Sequence, residues 1–116
     1  MNVADLRKRL PLRFERKFRP WSYQVTQRRL DLRSDENFEF GETVYVAFLD
    51  VFAMQVRRTY ERLQVAEAEN LYAIEQFADI PERHSHRYLR LSVGDSLHAG
   101  FVVCAAFSVR IEQPES

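Results

Sequence analysis

The chain has 116 residues, 46% hydrophobic and 13% aromatic, with 17 basic and 17 acidic side chains. That length suits one domain able to bury about two-thirds of its unfolded surface, and the composition excludes a disordered or collagen-like chain. One cysteine, Cys104, excludes an internal disulfide. Residues 1–7 lack an apolar h-region, and the longest apolar stretch, 99–107, is too short to cross a bilayer. The expectation is a cytoplasmic protein without membrane attachment. Charge is unevenly spread: residues 1–33 hold ten basic against three acidic side chains, and residues 34–116 hold seven against fourteen. Such asymmetry fits either attraction between parts of one fold or an acidic partner such as nucleic acid. Neutral net charge puts internal attraction first.

Val3, Leu6 and Leu10 mark one face of a short helix over 3–9, which Pro11 ends. Leu12, Phe14, Arg16 and Phe18 alternate as in a strand. Trp21, Tyr23 and Val25 share one face of the next, and Leu30 and Leu32 share a face of the strand after it. A tight turn at Gln27 and Arg28 pairs Val25 with Leu30 and Tyr23 with Leu32, which sends the aromatics into the core. Residues 34–41 read as a polar loop interrupted by Phe38 and Phe40. Residues 43–57 are apolar on both faces except for Asp50, so a buried strand is expected, split by a bulge or bend at Asp50 into 43–49 and 51–57. Leu63 and Val65 make a short strand.

Residues 66–79 are rich in Ala and Glu, with Leu71, Ile74, Phe77 and Ala78 on one stripe, and predict a helix that Pro81 ends. Residues 87–93 and 99–111 complete the strands. The last has a large odd face (Phe101, Val103, Phe107, Val109, Ile111) and a small even face (Val102, Cys104, Ala106, Ser108), on which the helix should pack. The fold class is α+β: a mostly antiparallel sheet of six or seven strands covered by one main helix, 66–79, with the short N-terminal helix beside it. The chain is one domain, 1–116, with a frayed tail at 113–116.

The runs Trp21-Ser22-Tyr23-Gln24-Val25, Leu30-Asp31-Leu32-Arg33-Ser34, Phe48-Leu49-Asp50-Val51 and Gly100-Phe101-Val102-Val103 resemble a group of small bacterial proteins of unknown function. The resemblance spans most of 18–111. It implies a β-rich single domain and supplies neither an activity nor site residues.

Chemistry has few footholds. His84 and His86 would share one side of a strand and are weak metal candidates, with Asp79, Glu82 or His98 as third ligand; a polar loop is the plainer reading, and no metal or cofactor is expected. Asp50 is either a general-acid candidate or a carboxylate accepting backbone N–H groups at a bend, and the second reading comes first. Cys104 lies in an apolar run where burial keeps a thiol inert. Arg13, Arg16, Lys17, Arg19, Arg28, Arg29 and Arg33, interleaved with Phe14, Phe18, Trp21 and Tyr23, form a basic segment able to bind phosphates. With the aromatics assigned to the core, the arginines become a solvated outer face. No nucleophile-elbow, paired-cysteine or zinc-protease motif occurs, so an enzyme is not expected. The reading is a protein-binding or accessory domain, self-associating or of the immunity type. The alternative is a nucleic-acid-binding module using residues 7–33.

Overall fold

The computed structural model describes residues 3–34, 41–95 and 99–113. The alternating segments form seven strands: β1 (Leu12–Phe14), β2 (Phe18–Gln24), β3 (Arg29–Ser34), β4 (Thr43–Gln55), β5 (Leu63–Glu67), β6 (Leu89–Gly94) and β7 (Ala99–Glu112). All pair antiparallel, in the order β1-β5-β6-β7-β4-β3-β2. The first two strands therefore stand at opposite ends of the sheet although only residues 15–17 separate them in sequence. The sheet must roll up to allow this. Phe18 and Tyr60 close the seam by exchanging two backbone hydrogen bonds of 2.8 Å. The result is a nearly closed barrel. One interior cluster draws on Phe18, Leu30, Leu32, Val46, Phe48, Leu63, Val65, Leu91, Val102 and Phe107, with Leu12 and Phe14 packed against it, so all seven strands face a common core. Closure also removes the unpaired edges that invite aggregation.

Helix α1 (Val3–Arg7) sends Leu6 into that interior, where it is 3% exposed. Helix α2 (Leu71–Ala78) and a 3₁₀ helix (Glu82–Arg87) lie outside the barrel, between β5 and β6. A mostly antiparallel sheet with few helices is thus the architecture. The expected covering helix is not: α2 has eight residues, begins at Leu71 rather than 66, and packs over part of one face only. Residues 66 and 67 instead extend β5, because Ala66 and Glu67 pair with Ser92 and Leu91. Sheet pairing overrides the helical propensity of an Ala/Glu run.

The face on which α2 packs is also the reverse of the expected one. Ile74 and Tyr88 meet Phe101 and Val103, the large odd residues, in a second cluster. The small even residues Val102 and Cys104 point into the barrel. The cause lies on the neighbouring strand. Asp50 has a φ of 54°, in the left-handed region, and a register shift follows between Val51 and Ala53. Inward positions on β4 run Val44, Val46, Phe48, then Val51, then Met54. The pairing strand β7 shifts parity with it, from Val102 and Cys104 to Phe107 and Val109. No single alternation survives across such a bend.

The β2–β3 hairpin is displaced by two residues from the expected pairing, with Tyr23 opposite Leu30 and Gln24 opposite Arg29. Its turn spans four residues, Val25 to Arg28, and Arg28 takes a φ of 49°. A further bulge between Pro20 and Ser22 throws Trp21 outward. Trp21 and Tyr23 are 51% and 41% exposed, and Val25 is 75% exposed, so the expectation of a core role for these residues fails. The loop at 35–40, with Phe38 and Phe40, and the tail at 114–116 lie outside the described residues, as does His98.

Candidate interaction surfaces

Most of the basic segment is committed to the fold. Arg16 reaches Glu42, donating to its carboxylate at 3.2 Å and to its carbonyl oxygen at 3.4 Å. Lys17 stands 4.0 Å from Glu61, and Arg7 3.0 Å from Glu67. Arg28 Nη2 lies 2.6 Å from Asp50 Oδ1, a close charge contact without the alignment of a hydrogen bond. These four pairs each join the basic first third of the chain to the acidic remainder. The charge asymmetry is in that measure an internal attraction. Arg29 is held locally by Asp31, which also accepts a hydrogen bond from Ser22 Oγ. Arg13 lies exposed on β1.

Asp50 itself is therefore no backbone cap. Its carboxylate faces a guanidinium, and no backbone donor reaches it among the described residues. The residue after Asp50 adds a second tie, since Val51 donates its backbone N–H to the Arg28 carbonyl at 2.8 Å. Two non-glycine residues in left-handed conformation thus hold each other, fastening the β2–β3 turn onto the bend of β4. That arrangement gives the carboxylate a structural partner.

Arg19 and Arg33 also take part in a stacked row. They sit opposite each other on β2 and β3, and the row continues through Tyr45 on β4 to Arg110 on β7. Trp21, pushed out by its bulge, stands over this row. The Arg33 guanidinium lies 4.1 Å from the Trp21 ring centre and 5.8 Å from that of Tyr45. Arg110 lies 4.4 Å from Tyr45, and Arg19 lies 5.9 Å from Trp21. Cations and rings alternate across four strands. Arg110 and Tyr45 escape a sequence reading because they are remote from the basic segment. Only the outward parity of 45 on its strand hints at them.

The second surface is apolar. Leu71, Tyr72 and Phe77 of α2 are 46%, 75% and 64% exposed, although Ile74 between them is buried. Phe77 stacks edge-on against Phe101 at 5.4 Å, and Phe52 of β4 against Tyr88 at 5.2 Å, so both exposed rings lean on the second core cluster. Beside them Arg90 binds the outer elements to β6. Its guanidinium donates to Glu75 at 2.7 Å, to the carbonyls of Ser85 and Tyr88 at 2.7 and 2.8 Å, and to Ser85 Oγ at 2.6 Å. An open cavity of about 410 Å³ adjoins Arg90, but its charged lining residues are already paired, Arg7 with Glu67 and Arg90 with Glu75.

The histidine pair does not converge. His84 and His86 lie on the 3₁₀ helix, not on a strand, and with three residues per turn two positions apart diverge. Among the described residues no group of three or more His, Cys, Asp or Glu is placed to hold a metal ion. Cys104 is fully buried, and burial pushes its thiol up to about 12. Burial likewise raises the Tyr60 phenol, whose oxygen accepts the Arg57 backbone N–H at 2.8 Å. Among the described residues no helix is long and apolar enough to cross a membrane. No protein-family model, curated protein or solved structure matches the chain.

Proposed function

We propose that the chain is a protein-binding domain whose docking surface is the outward face of α2 with Phe52 beside it, and that its simplest partner is a second copy of itself. The observation that carries this is a helix apolar on both sides. Ile74 is buried against the barrel, while Tyr72 lies on the far side and Leu71 and Phe77 flank it. A helix of this kind is normally covered. The exposed parts of Phe52, Tyr72 and Phe77 amount to roughly 350 Å², taking about 200 Å² for a full ring. That is the centre of an interface, since a stable one buries about 800 Å² on each partner. Aromatic residues at such centres carry most of the binding energy. Zero net charge leaves no long-range repulsion between copies.

Sedimentation over a concentration series tests it. Reversible association is expected, and the double change Tyr72→Ser and Phe77→Ser should abolish it while leaving the circular dichroism spectrum intact. A chain that stays monomeric at the highest soluble concentration, or a double variant that associates as before, would remove the reading.

A further inference from the structure

The end of α1, the end of β5, α2, the 3₁₀ helix and β6 meet around the open cavity of about 410 Å³. We infer that this cavity is a binding site for a small zwitterion of the α-amino-acid class with an aliphatic side chain. Leu71 and Glu75 lie one helical turn apart and share the face of α2 that borders it. Arg7, Glu67 and Arg90 stand on its other walls. The lining therefore carries two guanidinium groups and two carboxylates. A lone anion or a lone cation would be attracted by one sign of charge and repelled by the other. A ligand that bears both charges meets a complement for each.

The ion pairs already present use only part of each group. Glu67 occupies the Nε side of Arg7 at 3.0 Å. The outer edge of that guanidinium, between its two terminal nitrogens, is a second fork that matches a carboxylate. The pair is also about half exposed, 49% and 57%, so a ligand displaces it at little cost. Glu75 is held more firmly. Its Oε1 accepts from Arg90 Nε at 2.7 Å, and Arg90 is fixed by its further bonds to Ser85 and Tyr88. Glu75 Oε2 accepts no hydrogen bond among the described residues, and the side chain is 40% exposed, so this oxygen is open to an ammonium group. Ser85 Oγ accepts from Arg90 and keeps its own proton to donate. Ala68 and Leu71 add an apolar wall for the ligand's side chain. The volume falls within the range of small-molecule sites, about 300–1,000 Å³.

Titration of isotope-labelled protein with L-leucine, followed by nuclear magnetic resonance, reads the site directly. The backbone amides of Ala68, Leu71 and Glu75 should shift together and saturate, with a dissociation constant on the order of 1 mM for so small a ligand. Isocaproate lacks the ammonium group and isopentylamine lacks the carboxylate, and each should bind about tenfold more weakly or worse. Arg7→Gln, which alters only an exposed pair, should keep the melting temperature, weaken leucine several-fold and leave the amine unaffected. Glu75→Gln retains an oxygen for Arg90 but no charge, and should weaken leucine and the amine alike. No saturable shift at about 50 mM leucine would overturn the inference. So would isocaproate binding as tightly as leucine, which would make the cavity a plain anion site, or an Arg7→Gln variant that binds leucine as the wild type does. The site shares Leu71 with the docking surface but neither Tyr72 nor Phe77. The Tyr72→Ser and Phe77→Ser double variant should therefore bind leucine unchanged, and either proposal survives the failure of the other.

Discussion

Asp50 has the clearest residue-scale consequences. A side chain with a Cβ in the left-handed region costs about 1–2 kcal/mol, less for Asp and Asn than for others. The Arg28 contact partly offsets that cost, but both side chains are partly exposed, 55% and 30%, so the pair is worth no more than about 1 kcal/mol. Asp50→Asn should therefore cost less than about 1 kcal/mol, whereas a carboxylate holding backbone donors would have cost more. Asp50→Gly should be nearly neutral and Asp50→Ala clearly worse, by about 1 kcal/mol between the two. Urea unfolding of the three variants checks this rank, and Ala outperforming Gly would refute the backbone argument. Cys104 sets a pH dependence. Its thiol stays protonated in the fold to about pH 12, while the unfolded chain ionises near 9. Between those values the unfolded state binds fewer protons, so stability falls as pH rises, by up to about 1.4 kcal/mol per pH unit. Tyr60 acts in the same direction above 10, because its folded value is raised too. Melting curves from pH 8 to about 10.5, where the wild type should lose stability faster than Cys104→Ala, measure the effect.

At the scale of elements, Arg90 decides where α2 and the 3₁₀ helix sit. Its side chain is only 11% exposed and donates four hydrogen bonds to three residues on those outer segments. Arg90→Met should cost about 2–4 kcal/mol, since it strands Glu75 and the Ser85 and Tyr88 carbonyls. Hydrogen exchange should accelerate over residues 71–88 while β3 and β4 stay protected, and uniform acceleration would assign Arg90 to the barrel instead. The strands themselves were legible because apolar alternation is local: β3, β4, β6 and β7 appear close to their expected limits. The misplaced features depend on remote partners. Ala66 and Glu67 join β5 only because β6 lies alongside, and Trp21 turns outward because of a bulge that no turn residue announces. Arg90, set between Leu89 and Leu91, looks like any outward strand residue until Glu75 and Ser85 are brought to it. The basic segment was visible, but the stacking of Arg33 on Tyr45, in a row that ends at Arg110, required the far strands β4 and β7.

For the whole molecule the question is whether the two apolar clusters melt together. The larger fills the barrel, and the smaller, around Ile74, Tyr88, Phe101 and Val103, lies outside it. They share β7, where alternate residues of one strand serve both, so the outer cluster has no independent support. The seam between β2 and residue 60 is the place to test this, because every strand relies on closure there. Tyr60→Phe removes the acceptor for the Arg57 N–H in a fully buried position and should cost about 1–3 kcal/mol. Trp21 fluorescence reports on β2 beside the seam, and far-ultraviolet circular dichroism reports on the whole sheet. In the wild type and in the Tyr60→Phe variant both probes should give one coincident transition, shifted in the variant by about 5–10 °C if a 116-residue domain follows the usual entropy of unfolding. A tryptophan transition that precedes the dichroism change in the variant would mean that the seam opens alone, and that the barrel is an open sheet whose ends only touch.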